Sequence, residues 1–317
     1  MLMQRILVPV DFSAASEAGA RAAAVIAARH RAALALLHVV PQANTAVNVV
    51  EPVYVPPELA ERVNTGRFDE ADRKMADLAG QLREQIASTV DVTTEIVGGD
   101  AVDEILAAAD RGADLLVIGS SGLSGIARLV LGSVAESVSR LAACPVLVVH
   151  DRESEEAVDY RRIMVGVDFS PVSEGICRLA AAIAGPGGHV DVVHVWEPPE
   201  LSTLTVDLGD LAGSAGEVHR AAADQRAAVA RRLARFVDDL QIVGAHLTSH
   251  VALGSPVPEL LQRAADTRPD VVALGSHARE GITERLLGTV ADRVLRGAGR
   301  PVLLLPRPAR GRWTKRP

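Results

Sequence analysis

Apolar positions in this chain gather into short unbroken runs, separated by longer stretches where they recur at helical spacing. In the first half the runs fall at about 5–10, 34–39, 92–97, 114–119 and 145–149. They read as continuous runs rich in Val, Ile and Leu, interrupted at 92–97 by Thr93, Thr94 and Glu95, without strict alternation, which predicts parallel strands buried on both faces. The stretches between them, about 14–30, 67–88, 101–111 and 132–142, are Ala-rich and amphipathic, which predicts helices. The second half repeats the scheme, with strands near 162–167, 189–194, 247–252, 271–274 and 301–305. Strands alternating with helices specify a doubly wound α/β unit.

The two halves repeat each other in sequence as well as in pattern. "RILVPVDFSAASE" from Arg5 returns as "RIMVGVDFSPVSE" from Arg162, and "LLHVV" from Leu36 as "VVHVW" from Val192. "VGGDAVDEIL" from Val97 parallels "ALGSPVPELL" from Ala252, and "DLLVIGSSGLSG" from Asp114 parallels "DVVALGSHAREG" from Asp270. "LGSVAESVSRLAACPVLVV" from Leu131 matches "LGTVADRVLRGAGRPVLLL" from Leu287. Two copies in one order, each far longer than a solenoid repeat, predict two tandem domains of one fold. The expected division is 1–150, a charged linker at 151–160, 161–306, and a basic tail at 307–317 read as a solvated terminus.

Composition narrows the function. A length of 317 residues fits two domains at roughly 150 each. With 33 basic and 40 acidic residues the net charge is −7, which disfavours nucleic acid and anionic membrane as partners. Aromatics at 3% are too few for a base-stacking platform. Two cysteines, Cys144 and Cys177, make no disulfide framework and fit a reducing compartment. The N-terminal apolar run stops at Asp11, too short for a signal peptide, and no run reaches 18 apolar residues, so a cytoplasmic location is expected.

The candidate chemistry lies where strands end. Longer loops at about 41–65 and 197–215 follow the second strand of each half, at the rim where open α/β sheets take ligands. The fourth strand of the first half ends at Gly119; Gly122 follows, then nine residues, then Gly132-Ser133 at a helix start. The second half has Gly275, Ala278, nine residues, and Gly288-Thr289. Glycine at a strand exit lets backbone amides approach an anion, and Gly-Ser or Gly-Thr at a helix start adds free N–H groups, a hydroxyl and the positive end of the helix dipole. Together these make a phosphate cradle. Asp11 and Asp168 stand at the ends of the first strands, and Ser13 and Ser170 are placed to cap the helices that follow. His38 and His194 sit among apolar residues and read as satisfied core histidines.

The paired "VPVDFS" and "VGVDFS" starts, the G-x-x-G-9x-G-[ST] spacing and the "CPVLVV" and "RPVLLL" last strands resemble the universal stress protein family, over nearly the whole chain. The resemblance is to tandem two-domain members of the ATP-binding type. It implies two Rossmann-like domains of the adenine nucleotide alpha hydrolase kind, each with five parallel strands in the order 3-2-1-4-5 and helices on both faces. It implies ATP as ligand, with Mg²⁺ arriving on the phosphates. Asp11 and Asp168 would then meet the ribose side, and Val39 and Val195 the adenine. Pro9, Ile118, Gly166 and Leu274 would contribute to the pocket from strand ends. Gly119, Ser121, Gly122, Gly132, Ser133 and Val134 would wrap the triphosphate, with Gly275, His277, Ala278, Gly288, Thr289 and Val290 as counterparts. Ala278 departs from the family glycine, and its methyl is expected to weaken the second site. The resemblance also implies homodimerisation and an unidentified regulatory protein partner.

Other chemistries lack their motifs. There is no G-x-G-x-x-G after the first strand, no G-x-x-x-x-G-K-[ST], no G-x-S-x-G and no H-E-x-x-H or C-x-x-C. His246 and His250 share a strand face but make only two of the ligands a metal needs. The expectation is a nucleotide-dependent stress-response regulator with hydrolysis slow or absent. A non-nucleotide scaffold of the same fold, or a slow ATPase or phosphotransferase, are the alternatives. The apolar last strands, Pro145 to Val149 and Pro301 to Leu305, would be bare sheet edges and are expected to pair with each other.

Overall fold

A computed structural model describes residues 3–41, 46–47, 53–54, 57–86, 90–120, 131–150, 159–197, 211–276 and 287–306. Most of the linker and the whole basic tail lie outside them. The first half runs β1 (Arg5–Pro9), α1 (Ala14–His30), β2 (Ala33–Val40), a short hairpin of β3 (Ala46–Val47) and β4 (Val53–Tyr54), α2 (Pro57–Gln85), β5 (Val92–Gly98), α3 (Ala101–Asp110), β6 (Leu115–Gly119), α4 (Ser133–Leu141) and β7 (Val146–Val149). The second runs β8 (Arg162–Gly166), α5 (Pro171–Ala184), β9 (His189–Trp196), α6 (Leu211–Asp239), β10 (His246–Leu253), α7 (Pro256–Thr267), β11 (Val271–Gly275), α8 (Thr289–Gly297) and β12 (Val302–Leu305). The continuous apolar runs are indeed the central strands: every residue of β6, β7 and β12 is buried.

Several elements depart from the expected pattern. β5 and β10 are largely exposed instead of buried on both faces, because they form the two edges of the sheet. α2 starts at Pro57, ten residues ahead of the expected start at 67, and takes over part of the loop expected at 41–65. Residues 61–70 are almost all exposed, so this turn of the helix faces no core and carries no apolar stripe to reveal it. Proline at the first position suits a helix start, where its missing N–H costs nothing. In the second half α6 likewise begins at Leu211, inside the loop expected at 197–215.

The ten long strands form one sheet in the order β10-β9-β8-β11-β12-β7-β6-β1-β2-β5. Pairing is parallel inside each half. At the centre β12 meets β7 antiparallel, with Val302 opposite Val148 and Leu304 opposite Val146. The two last strands therefore satisfy each other's edges within one chain. Because that junction is antiparallel, the strands of the two halves point in opposite directions. Their carboxyl ends emerge at opposite rims of the sheet.

Each face of the sheet carries one apolar layer that runs across both halves. One layer joins α1, α2, α5 and α6 through residues such as Ile26, Met75, Ile176 and Leu233. The other joins α3, α4, α7 and α8 through Ile105, Val138, Leu260 and Val294. Polar bridges cross the seam on both faces. Glu136 of α4 meets Arg296 of α8 at 3.1 Å. On the other face Arg29, near the end of α1, donates to the carbonyls of Ile183 and Asp159 and to the Asp159 carboxylate. The neighbouring His30 donates from Nε2 to the Ala182 carbonyl at 2.9 Å. Two unpaired carbonyls at the end of α5 are thus capped by side chains from α1.

His30 is buried, and its Nδ1 has no hydrogen-bond partner among the described residues. Burial, the largest influence, holds it below its ordinary value of 6.5, against the pull of the backbone hydrogen bond. The folded state therefore binds fewer protons at this residue than the unfolded state does. Its contribution is complete above pH 6.5 and is lost as pH falls below that value. The urea midpoint should drop between pH 7 and pH 5, and His30→Gln should flatten that drop; equal slopes would show that His30 does not report on the seam.

Candidate functional site

Each half has a cavity at the carboxyl rim of its strands, where helices approach from the side. The first, of about 200 Å³, is lined by Pro9, Asp11, Val39, Ile118, Gly119, Gly132, Ser133 and Val134. The second, of about 680 Å³, is lined by Gly166, Asp168, Val195, Leu274, Gly275, Gly288, Thr289 and Val290. These are all the site residues picked out by sequence that fall in the described segments. Ser121, Gly122, His277 and Ala278 lie outside the described residues.

Sequence reasoning missed a wall in each half. Ala101 and Ile105 of α3 close the first cavity, and Pro256 and Leu260 of α7 close the second. The repeated "VGGDAVDEIL" and "ALGSPVPELL" segments held that signal, since both pairs sit at matched positions in them. The second cavity has fewer side-chain atoms on its floor: Gly166 stands where the first half has Pro9, and Val193 where it has Leu37.

The carboxylates serve two ends. Asp11 Oδ1 accepts from the Ser13 backbone N–H at 3.0 Å and from the Ser13 hydroxyl. Ser13 in turn caps α1, its hydroxyl accepting from the Ser16 amide at 3.3 Å. In the second half Ser170 makes no side-chain cap, contrary to expectation, because the Ser173 amide bonds the Ser170 carbonyl instead, at 2.9 Å. Asp168 Oδ1 takes the Ser170 amide at 2.9 Å, as Asp11 takes that of Ser13, and accepts from the Ser173 hydroxyl at 3.0 Å. Among the described residues each carboxylate uses Oδ1 on its helix start and leaves Oδ2 without a hydrogen bond.

The starts of α4 and α8 form another part of each cavity wall. α1 and α3 are capped by Ser13 and Asp100, but α4 opens with Gly132 and has no side-chain cap. α8 opens in the same way with Gly288. The Gly132 amide is not free, since it donates to the Ser120 carbonyl at 2.7 Å, and Gly288 does the same to Ser276 at 2.7 Å. These bonds hold each helix start beside the strand exit. The amides of Ser133, Val134 and Ala135, and of their counterparts on α8, have no intrahelical acceptor and carry the positive end of the helix dipole.

Gly119 has a packing reason of its own. A Cβ there would lie 2.6 Å from the Ala15 carbonyl carbon and 2.7 Å from the Ser16 nitrogen, both backbone of α1. At Gly275 the nearest atom would be a Val172 methyl at 3.1 Å, which can yield. Both cysteines are buried and pushed up to about 12 by desolvation, which keeps the thiols inert. His246 stacks on His189 at 5.2 Å, and no group of three or more His, Cys, Asp or Glu among the described residues is placed to hold a metal. No helix among them is long and apolar enough to cross a membrane.

The universal stress protein family matches residues 3–150 and 159–306, and the chain belongs to that family as a tandem of two such domains. A universal stress protein of Mycolicibacterium smegmatis is 32% identical over 305 residues, covering 95% of this chain and 96% of its own length. One from Mycobacterium tuberculosis is 32% identical over 310 residues, covering 94% and 96%. The crystal structure of a universal stress protein from Archaeoglobus fulgidus shares the fold, with a TM-score of 0.61 at 18% identity over 96% of this chain and 98% of that one. Membership of the family supports a role in the stress response.

Gly119→Ala should destabilise the protein by about 1–3 kcal/mol, because backbone must move, whereas Gly275→Ala should cost less than about 1 kcal/mol. Denaturant unfolding of the two variants checks this, and equal losses would refute the packing role assigned to Gly119.

Proposed function

We propose that each half binds an adenine nucleotide, ATP foremost, at the carboxyl rim of its strands, and that the chain acts as a nucleotide-dependent regulator in the stress response. The observation that carries this reading is the same in both halves: one apolar cavity whose walls hold a carboxylate with an uncommitted oxygen and an uncapped helix start. An apolar slot beside Val39 or Val195 suits a base. The free oxygen of Asp11 or Asp168 suits sugar hydroxyls. The helix amides with the Ser133 or Thr289 hydroxyl suit phosphates. Mg²⁺ would come with the phosphates, keeping part of its water shell. Among the described residues, the polar side chains on the first cavity wall are Asp11, Ser16, Ser120 and Ser133, which suit ligand binding. A cytoplasmic location and homodimerisation belong to the same reading. With the last strands already paired inside the chain, a dimer would use another surface.

Mass spectrometry of the small molecules released on denaturation should find adenine nucleotide, and titration should give two sites per chain. Asp11→Asn and Asp168→Asn should each weaken one site on the order of 10- to 100-fold, as for loss of a charge-assisted hydrogen bond, and leave the other intact. No binding by wild type, or no effect of either variant, would refute the assignment. A light-scattering mass equal to the 33.3 kDa chain would count against the dimer.

A further inference from the structure

Both halves leave their first strand through the same three residues, Asp-Phe-Ser, and in both the phenylalanine adopts a left-handed backbone. Its φ is 60° at Phe12 and 59° at Phe169. A bulky side chain rarely takes that conformation, and it persists only where the surroundings impose it. Here the surroundings are the same twice. His38 Nδ1 lies 2.7 Å from the Val10 carbonyl, and His194 Nδ1 lies 2.8 Å from the Val167 carbonyl. A carbonyl can only accept, so each Nδ1 carries the proton and donates. The phenyl ring of the next-but-one residue rests on that imidazole, at 4.6 Å for Phe12 and 4.5 Å for Phe169. A cation stands over each phenyl ring, Lys74 at 5.6 Å and Arg232 at 4.1 Å.

These contacts decide where the first strand stops. The Val10 amide still pairs with β2 through the Leu37 carbonyl at 2.8 Å, and Val167 pairs with Val193 in the same way at 2.8 Å. The carbonyl of that same residue is then taken by an imidazole side chain, and the backbone turns. The next residue is the aspartate. Both histidines are half-buried, and His194 also lines the second cavity.

The geometry points to His38 and His194 as positioning residues, which hold the Asp-Phe-Ser turn so that Asp11 and Asp168 present a carboxylate to each cavity. The role rests on the nucleotide reading for its ligand, but the turn itself can be followed without ligand. The essential feature is one N–H aimed at a carbonyl. Asparagine can supply that donor from a similar position; leucine fills space without it.

The test uses the full chain carrying Asp168→Asn, so that the first cavity reports alone, with ATP and Mg²⁺ as the probe. His38→Leu should weaken binding about tenfold or more, and His38→Asn should stay within about threefold of its parent. Phe12→Gly should also weaken binding, although glycine accepts the left-handed backbone freely. Binding by His38→Leu equal to the parent would overturn the role, and so would equal losses in the Leu and Asn variants, which would mean packing alone. If the parent binds no nucleotide, the functional reading fails, and amide exchange still decides the positioning role. The Ser13 amide, held by Asp11 at 3.0 Å, should exchange faster in His38→Leu but not in His38→Asn. Unchanged exchange in both would overturn it.

Discussion

The antiparallel meeting of β7 and β12 is the constraint on which the rest of this structure depends. Two short, fully apolar edges, Val146–Val149 and Val302–Leu305, would each expose unpaired backbone groups if left alone. Paired with each other, they turn two five-stranded sheets into one of ten. The direction of the pairing matters as much as its existence. A parallel junction would have put both carboxyl rims on one side; the antiparallel one sends the two cavities to opposite rims. It also brings like helices side by side, so that α1 caps α5 on one face and α4 reaches α8 on the other.

Within each half, close packing also sets the shape of the cavity wall. α1 lies so near β6 that Gly119 can carry no side chain, and that contact sets the first turn of α1 next to the strand exit. The aspartate feeds one oxygen into that first turn and keeps the other free. The Gly132 amide donates to the Ser120 carbonyl and so holds the start of α4 beside the exit of β6. The amides of the next three residues, at the uncapped end of α4, have no intrahelical acceptor. Their dipole is local and enters no charge count, so the excess of acidic residues over basic ones does not cancel it.

The two halves differ even within the segments that repeat most closely. Gly166 for Pro9 and Val193 for Leu37 go with the larger second cavity, and Ser170 has lost the capping role that Ser13 keeps. Both aspartates keep the serine amide two residues on, but the hydroxyl donor changes from Ser13 in the first half to Ser173 in the second. The left-handed phenylalanine and its histidine contact are the same in both halves.

Much of this was legible in the sequence by itself. Unbroken apolar runs located the buried strands, because a strand covered on both faces has no polar side to show. The internal repeat gave the tandem organisation, and the glycine spacing and the strand-end aspartates marked residues that line the two cavities. The early start of α2 was hidden, because an exposed helical turn has no apolar stripe. The walls supplied by α3 and α7 were hidden too, since which helix leans over a rim depends on how it packs. Only the tertiary structure decided that Gly132's amide is spent, that Ser170 does not cap, and that two apparent core histidines each hold a strand-ending carbonyl. Periodicity records which side of an element is buried, but a hydrogen bond between distant residues leaves no period, and its partners are fixed only when the chain has folded.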